Sequence, residues 1–400
     1  MTERVALLTN TPSPYRLPMF KALAEMCDLF VLFDQVSEPN RKWRHPGREL
    51  GFRHKYLAGL ALPFTRVRPA AYAGPNLARF SRDTRYLQMR PGVLPGLARL
   101  RPDIIVSLEM GLRTLQAAAY AWVTGTPLII WWEGTPHSEG WVGPFKRQLR
   151  RILVARAQRF WCNGKESAEL LRTYGAKDEA IDTGITGVDV AYFRDAVMRG
   201  MGQRAALRAK WSLSGVTFLY VGQFTERKGL AFFLDALGIL PDLTSQPWSA
   251  LFVGEGSLED SIRAWRDAHP ELRVAVEGFL QQDELWRAYA AADVVVVPTL
   301  DDNWSLVVLE AMAAGLPQIM SIFNGGTSDL LTDARFGIAV DPTDVAALAK
   351  ALAIYVEHPP ARLASGEVSE VIDYYGPRSQ AERAVASIKR SSTFRPLLQS

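Results

Sequence analysis

The 400-residue sequence has little cysteine and little net charge, and each absence excludes a class of protein. Its two cysteines, Cys27 and Cys162, form no CxxC pair and have no histidine at metal-ligand spacing. Neither a disulfide framework nor a zinc site is therefore predicted. Lys and Arg number 46 against 42 Asp and Glu, which leaves a net charge of +4. This surplus is too small to indicate bulk binding of nucleic acid, and no nucleic-acid-binding motif is present.

Long apolar segments are also absent. The apolar run near the start covers only residues 5–8, too short for the core of a signal peptide. No run reaches the roughly 20 residues that a membrane-spanning helix needs. We therefore expect a cytoplasmic, soluble chain that is attached at most to the inner surface of a membrane.

Short apolar runs alternate with amphipathic stretches along the sequence, a pattern typical of βαβ units around a parallel sheet. The runs repeat in two similar halves, which predicts two doubly wound α/β domains facing a cleft. We place these domains at residues 1–190 and 191–372, followed by a helix and tail at 373–400. The predicted strands are residues 5–9, 29–33, 103–107, 127–132, 159–163, 218–222, 250–254, 273–278, 293–298 and 317–321.

The most informative segment is PTLDDNWSLVVLEAMAAGLP at residues 298–317. A strand and a polar loop precede a helix from Leu306, with Ser305 as a candidate N-cap. The amides of a first helical turn favour anions, and the carboxylates of Asp302 and Glu310 flank this position. The arrangement suits a diphosphate that carries a hydroxyl-rich group at each end. The structural alternative is that Asp302 is an ordinary loop carboxylate and Glu310 a solvated helix residue without a ligand.

Other strand ends in the second half carry related signals. Lys228 and Gly229 open the next helix, and the helix dipole disfavours a cation at this N-terminus, so an anionic ligand would explain Lys228. Gly278 ends a strand and would let a flat ring approach the backbone. Each motif alone also fits an ordinary turn or strand end. Their shared place after the strands of one sheet favours a nucleotide site.

Over residues 210–345 the sequence resembles the second domain of the retaining GT-B glycosyltransferases of family 4. That family has an acidic residue, seven intervening residues and a Glu before AMAxGxP, and DNWSLVVLEAMAAGLP places Asp302 and Glu310 there. The resemblance implies the GT-B fold, with two Rossmann-like domains and a carboxyl-terminal helix that crosses back to the first. It also implies sugar transfer from a UDP- or GDP-sugar to a glycan or lipid-linked acceptor, as in cell-envelope or exopolysaccharide biosynthesis.

The resemblance assigns roles to individual residues. Asp302 would contact the transferred sugar, Glu310 the ribose and Lys228 the diphosphate, while Gly278 and Phe279 would meet the base. No metal or cofactor is expected, because Lys228 and the first helical amides would stabilise the leaving diphosphate. The donor-binding set is completed by Gly222, Gln223, Asn303, Trp304, Ser305 and Leu306.

Several positions depart from the family pattern. Asp302 is one methylene shorter than the usual Glu, and Gln223 stands where an Arg commonly binds the diphosphate. In the first half the segment NTPSPYR at residues 10–16 replaces a Gly-rich loop. Glu133 replaces a His, and His137 follows four residues later. We expect Glu133 or His137 to face the transferred sugar, although a purely structural His137 fits equally well.

The first half also concentrates positive charge. Residues 41–101 contain fourteen Lys or Arg and two acids, and residues 143–160 contain six Lys or Arg and no acid. In the latter segment cations alternate with apolar residues, which predicts an amphipathic helix suited to an anionic lipid surface. A solvated helix face with apolar Arg stems is the alternative.

Three other functions fit the same fold. A sugar-nucleotide epimerase or a phosphorylase would share the two domains, and a catalytically inactive protein could still bind a nucleotide sugar. The departures at Gln223, Asp302 and Glu133 keep the inactive alternative open. The base, the sugar and the acceptor are not encoded in any motif of this sequence.

Overall fold

The computed structural model describes residues 3–37, 42–44, 47, 49–69, 80–186 and 188–392. Parts of the basic region 41–101 and the tail beyond Ser392 therefore lie outside the described residues. The strands are β1 (Arg4–Thr9), β2 (Asp28–Phe33), β3 (Arg53–Tyr56), β4 (Leu60–Pro69), β5 (Phe80–Met89), β6 (Ile104–Leu108), β7 (Leu128–Trp132), β8 (Arg159–Cys162), β9 (Ile181–Asp182), β10 (Val216–Val221), β11 (Trp248–Val253), β12 (Val274–Glu277), β13 (Val294–Val297), β14 (Gln318–Ser321) and β15 (Gly337–Val340).

The helices separate these strands along the chain. They are α1 (Leu17–Met26), α2 (Val93–Leu100), α3 (Leu112–Thr124), α4 (Pro136–Glu139), α5 (Pro144–Arg156), α6 (Lys165–Thr173), α7 (Val190–Gly200), α8 (Arg204–Lys210), α9 (Leu230–Leu243), α10 (Glu259–Ala268), α11 (Gln282–Ala291), α12 (Leu306–Ala313), α13 (Thr327–Leu330), α14 (Val345–Glu357), α15 (Ser365–Tyr375) and α16 (Pro377–Ser392). Each predicted strand is present, with ends that differ from the prediction by at most two residues.

The described chain divides into two compact units, so the predicted pair of doubly wound domains is confirmed. One unit contains Asp83–Asp189, the residues up to Arg66 and those from Tyr374 onward. Its sheet has the strand order β3-β2-β1-β6-β7-β8-β9, and the recorded pairs are parallel. Every residue of β7 is buried, as expected for a strand that is covered on both faces. Strands β4 and β5 form a separate two-stranded sheet.

The carboxyl-terminal helix returns to this first unit, as predicted. Helix α16 packs against α1 and buries Ala381, Ala384 and Ile388 in the same apolar cluster as β1 and β6. The indole Nε1 of Trp161 on β8 donates to Ser387 Oγ at 2.9 Å. The last helix thus forms part of the core of the first sheet.

The other unit contains Val190–Asp373, and its parallel sheet has the order β12-β11-β10-β13-β14-β15. The chain runs outward from β10 to one edge and from β13 to the other, so the strand order reverses between β10 and β13. In open α/β sheets such a reversal leaves a crevice outside the carboxyl ends of the two strands. The segments after Val221 and Val297 lie at this reversal.

Two features differ from the sequence predictions. The basic segment 143–160 is not one helix, because α5 ends at Arg156 and Arg159 already belongs to β8. Arg150 is buried against Glu139 rather than exposed. Strands β3, β4, β5, β9 and β15 were not predicted. Strand β3, with the sequence RHKY, lies at a sheet edge and lacks a buried apolar run.

The packing of α16 in the first unit predicts a stability effect. Ile388→Ala should lower the free energy of unfolding by about 2–4 kcal/mol, because it removes a fully buried side chain. Ile354 on α14 is half exposed and provides the matched control, for which Ile354→Ala should cost well under 1 kcal/mol. Urea unfolding followed by circular dichroism measures both. Equal losses in the two variants would contradict the placement of α16.

Candidate functional site

The loop after β13 brings Asp302, Ser305 and Lys228 into one hydrogen-bonded network. Lys228 Nζ donates to Oδ2 of Asp302, and Ser305 Oγ donates to the same oxygen at 2.6 Å. Both charged side chains are mostly buried, with 18% and 15% of Lys228 and Asp302 exposed. Burial by itself raises the pKa of Asp302, but Lys228, Arg227 and the hydrogen bonds hold this pKa well below its usual range. Asp302 is therefore a carboxylate at neutral pH.

The backbone around Lys228 is fixed against the same loop. A single 3₁₀ turn, Glu226–Lys228, precedes Gly229, whose φ is +69°. A Cβ atom at Gly229 would lie 1.8 Å from the carbonyl oxygen of Pro298, so only glycine fits there. The carbonyl of Arg227 also accepts from the amide of Leu300 at 2.9 Å. These contacts hold the ends of β10 and β13 together and place Lys228 beside Asp302.

The start of α12 differs from an ordinary capped helix. Ser305 occupies the N-cap position, but its hydroxyl makes no capping bond. The hydroxyl donates to Asp302, whose carboxylate is a strong acceptor. The expectation of a side-chain cap at Ser305 is therefore wrong. The Ser305 hydroxyl thus accepts no hydrogen bond from the amides of the first turn, and such amides favour an anion.

Glu310 lies on α12 in a different electrostatic environment. Its Oε2 accepts a hydrogen bond from the hydroxyl of Tyr289 at 2.6 Å. Burial raises the pKa of Glu310 from 4.5 to about 7, and the Tyr289 bond only partly opposes this shift. Tyr289 is itself buried on α11 and packs edge-on against Phe193. No sequence motif singles out Tyr289, which lies among the apolar residues of α11.

Gly278 follows β12 and contrasts with Gly229. A Cβ atom at Gly278 would meet no atom within 4 Å, so packing inside the chain does not require glycine there. The open space agrees with an approach of a flat ligand to the backbone. The preceding carboxylate, Glu277, accepts hydrogen bonds from Trp211 Nε1 at 2.6 Å and Lys210 Nζ at 3.1 Å.

The remaining predicted donor-site residues fall into two groups. Gly222, with φ of +151°, follows β10, and the carbonyl of Gln223 accepts from the hydroxyl of Tyr220 at 2.8 Å. Around α12, Trp304 is buried and packs against the backbone of Gly326. Two further residues near this helix, Asn303 and Leu306, are partly buried, as is Phe279 after Gly278.

Glu133 and His137, the predicted residues of the first half, lie in the first unit. Glu133 follows β7, and its Oε1 accepts from Nη2 of Arg16 at 2.8 Å. The Arg16 guanidinium lies 5.2 Å from the centroid of the Trp131 ring. His137 belongs to the short helix α4, which begins with a capping box between Thr135 and Ser138. The sequence predicts a role for Glu133 but not its ion pair with Arg16, which lies 117 positions away.

A buried ion pair at the ends of β2 and β6 was also missed. Arg113 Nη1 donates to Oδ2 of Asp34 and, at 2.9 Å, to Oδ1 of Asn10. Both charged residues are almost fully buried. Burial raises the pKa of Asp34 above its usual value despite the neighbouring guanidinium groups. No spacing rule connects Asp34 and Arg113, which lie in separate βα units.

Comparison with known protein families and sequences gives consistent matches. Residues 205–370 match the family described as "Glycosyl transferases group 1", and residues 11–183 match the "Glycosyl transferase 4-like domain". The chain is 29% identical over 272 residues to a glycogen synthase of Mycobacterium tuberculosis, covering 65% of this chain and 62% of that protein. It is also 29% identical over 239 residues to a D-inositol 3-phosphate glycosyltransferase of Pseudarthrobacter chlorophenolicus, covering 57% of this chain and 54% of that protein. The matches thus span somewhat more than half the length of these relatives.

Solved structures share the whole fold at low sequence identity. Anabaena HepE, in complex with UDP and glucose, superposes with a TM-score of 0.69 at 14% identity and covers 97% of this chain and 99% of its own. WaaG, a glycosyltransferase involved in lipopolysaccharide biosynthesis, superposes with a TM-score of 0.62 at 17% identity, covering 95% and 98%. The predicted GT-B fold is confirmed by this likeness.

The raised pKa of Glu310 predicts a pH-dependent stability. The folded chain keeps Glu310 protonated up to about pH 7, whereas the unfolded chain ionises it near 4.5, so the residue destabilises the fold increasingly between these values. Glu310→Gln retains an acceptor for Tyr289 without the charge. We expect it to raise the free energy of unfolding at pH 8 by on the order of 3 kcal/mol at most, and not at pH 4.

Denaturant unfolding at several pH values measures this effect. Glu259→Gln on α10 is the control, since that glutamate pairs with Arg263 at the helix surface. A gain for Glu310→Gln that is the same at pH 4 and pH 8 would show that Glu310 titrates normally.

Proposed function

Because the chain belongs to the glycosyltransferases, through the group 1 family and the 4-like domain, we propose that it transfers a sugar from a nucleoside-diphosphate sugar to an acceptor hydroxyl with retention of configuration. The observation that carries this proposal is the second-unit site. Lys228 and the start of α12 offer positive charge where the strand order reverses, and the carboxylates of Asp302 and Glu310 lie on the same loop and helix.

The chemistry of the donor suits this site. The Lys228 ammonium and the first amides of α12 would stabilise the charge that develops on the leaving diphosphate, which is usually the largest catalytic contribution. We propose that no metal is needed, since these groups supply the positive charge. Glu310 would accept hydroxyls of the ribose, and the backbone at Gly278 would meet the base.

The identity of the substrates is supported by the similar proteins. Crystal structures of Anabaena HepE contain UDP or UDP-glucose, which favours a uridine donor here. WaaG acts in lipopolysaccharide biosynthesis and the plant relative SQD2 is a sulfoquinovosyl transferase. We therefore propose a glycan or lipid-linked acceptor and a role in cell-envelope or exopolysaccharide biosynthesis.

Binding of nucleotides tests the donor site. One of UDP, GDP and ADP should stabilise the protein by about 2.7 kcal/mol at 100 times its Kd. Lys228→Met should weaken this binding at least tenfold, because it removes the charge that faces the diphosphate. Gly278→Ala should fold normally and still bind more weakly, since its methyl group would occupy the open space beside the backbone. Thermal unfolding and isothermal titration calorimetry measure these effects.

The matched control is Gly366→Ala on α15, where an added Cβ atom also meets no atom within 4 Å. If Gly278→Ala and Gly366→Ala bind the nucleotide with equal affinity, Gly278 is not part of the binding site. Transfer or hydrolysis of a radiolabelled donor, lost in Lys228→Met, then separates an enzyme from an inactive binding protein.

A surface of the first unit supports docking on a membrane. No helix in the described part of the chain is long and apolar enough to cross one. On α5 Phe145 and Ile152 lie seven residues apart, hence on one side of the helix, and 84% of Phe145 is exposed. The Arg156 guanidinium lies 5.4 Å from the ring centroid of the exposed Trp122 on α3. The exposed cations of α5 are Lys146, Arg147, Arg151 and Arg156.

This combination suits the interface of an anionic bilayer. Exposed aromatic and aliphatic side chains gain by entering the headgroup region, and each nearby cation adds roughly 1 kcal/mol. Arg150 and Arg159 do not contribute, because Glu139 and Asp182 hold them inside the unit. We propose that the protein is cytoplasmic and binds peripherally to the inner face of the cell membrane through this surface.

Co-sedimentation with vesicles tests the membrane proposal. The protein should bind vesicles containing phosphatidylglycerol and not vesicles of phosphatidylcholine alone. Phe145→Ser and Arg151→Glu should each reduce binding several-fold, because they remove the apolar anchor or reverse a charge. Ile354→Ser on the half-exposed face of α14 is the control and should bind normally. Equal binding to both vesicles, or none, would contradict this role.

A further inference from the structure

The lysine that the proposed function assigns to the diphosphate is already engaged in this structure. Lys228 Nζ donates to Oδ2 of Asp302, and both side chains are more than four-fifths buried. A diphosphate that binds Lys228 must therefore compete with the carboxylate of Asp302. Once the ammonium turns to a phosphate, Asp302 keeps its negative charge close to a second negative group, and the two repel each other.

The carboxylate cannot follow the lysine away from this position. The amide of Asp302 donates to the carbonyl of Phe323 at 3.3 Å, and its own carbonyl accepts from the amide of Gly325 at 2.9 Å. Ser305 Oγ donates to the carboxylate from the start of α12. The main chain and the carboxylate of Asp302 are thus fixed, and the long side chain of Lys228 is the part that can exchange partners.

A complete donor and its nucleoside diphosphate product differ in what they offer Asp302. The hydroxyls of a sugar can donate to a carboxylate and replace the lost ammonium. A nucleoside diphosphate brings additional negative charge and no sugar hydroxyls at this end. When the donor binds, hydrogen bonds from its sugar hydroxyls to Asp302 therefore offset the free-energy cost of separating Lys228 from Asp302. When the product binds, nothing offsets this cost.

We propose that Asp302 is an internal competitor for Lys228, which makes the site favour an intact nucleotide sugar over the nucleoside diphosphate that remains after transfer. This inference rests on the proposed function and deepens it. During turnover the departing sugar removes its hydroxyls from Asp302, Lys228 returns to the carboxylate, and the diphosphate is released. The ionised state of Asp302 at neutral pH supports this role, because only the carboxylate can hold the ammonium.

Asp302→Asn separates this role from simple alternatives. The measurement is isothermal titration calorimetry with the member of UDP, GDP and ADP that the wild type binds most tightly, and with its glucose conjugate. We expect Asp302→Asn to bind the nucleoside diphosphate about tenfold more tightly than the wild type. Affinity for the glucose conjugate should rise less or fall, so the preference for the conjugate decreases. Asp302→Ala should shift the preference in the same direction.

The contribution of the lysine is measured in the Lys228→Met background. There, Asp302→Asn should tighten binding of the nucleoside diphosphate by only about two- to threefold, because repulsion is relieved but no ammonium is released. Asp333→Asn is the matched control, since it removes the same charge from an exposed ion pair with Arg335 elsewhere in the unit. It should leave both affinities unchanged.

Two results would overturn the inference. Equal weakening of both ligands by Asp302→Asn would mean that Asp302 only positions Lys228. Weakening of the glucose conjugate alone, with the nucleoside diphosphate unchanged, would mean that Asp302 contacts the sugar without competing for the lysine. If the wild type binds none of the three nucleoside diphosphates, the proposed function fails and this inference fails with it, a result distinct from the other two.

Discussion

The hydrogen-bonded ion pair between Lys228 and Asp302 depends on the close approach of two loops at the reversal of strand order. Gly229 lets the segment after β10 touch the carbonyl of Pro298, and no other residue type would fit at that distance. The approach places a cation beside the start of α12, where the Ser305 hydroxyl donates to Asp302 and makes no capping bond. The anion site that we propose in the second unit depends on these backbone contacts as much as on the charged side chains.

The surroundings shift the pKa values of the two acids of the site in opposite directions. Asp302 has a cation and a hydroxyl donor, and its pKa is lowered, whereas Glu310 has a neutral phenol and a buried position, and its pKa is raised to about 7. A protonated or weakly ionised Glu310 adds little repulsion toward a diphosphate and can still exchange hydrogen bonds with ribose hydroxyls. The ionised Asp302 does oppose a diphosphate, and this difference gives the two acids separate roles in the proposed cycle.

The first unit has a different distribution of charge. Inside it, acidic partners neutralise several arginines, as in the pairs Arg16–Glu133 and Arg113–Asp34. On α5 the exposed cations accompany exposed apolar side chains instead. The small overall net charge of +4 therefore does not reveal that the surface of α5 combines positive charge with apolar area. A bilayer interface would bind this combination.

Local sequence determined the strands that have a buried apolar run, the loop at residues 298–305 and the helix that follows it, because buried apolar runs and helix signals act over a few residues. The same local signals predicted that Lys228, Asp302 and Glu310 lie after strands of one sheet. Tertiary structure alone decided which side chains pair. The partners Lys228 and Asp302 are 74 residues apart in the sequence, Glu310 and Tyr289 are 21 apart, and Arg16 and Glu133 are 117 apart. Periodicity does not encode such pairs, since the order of strands in the sheet brings distant segments together and burial then sets the charge of each group.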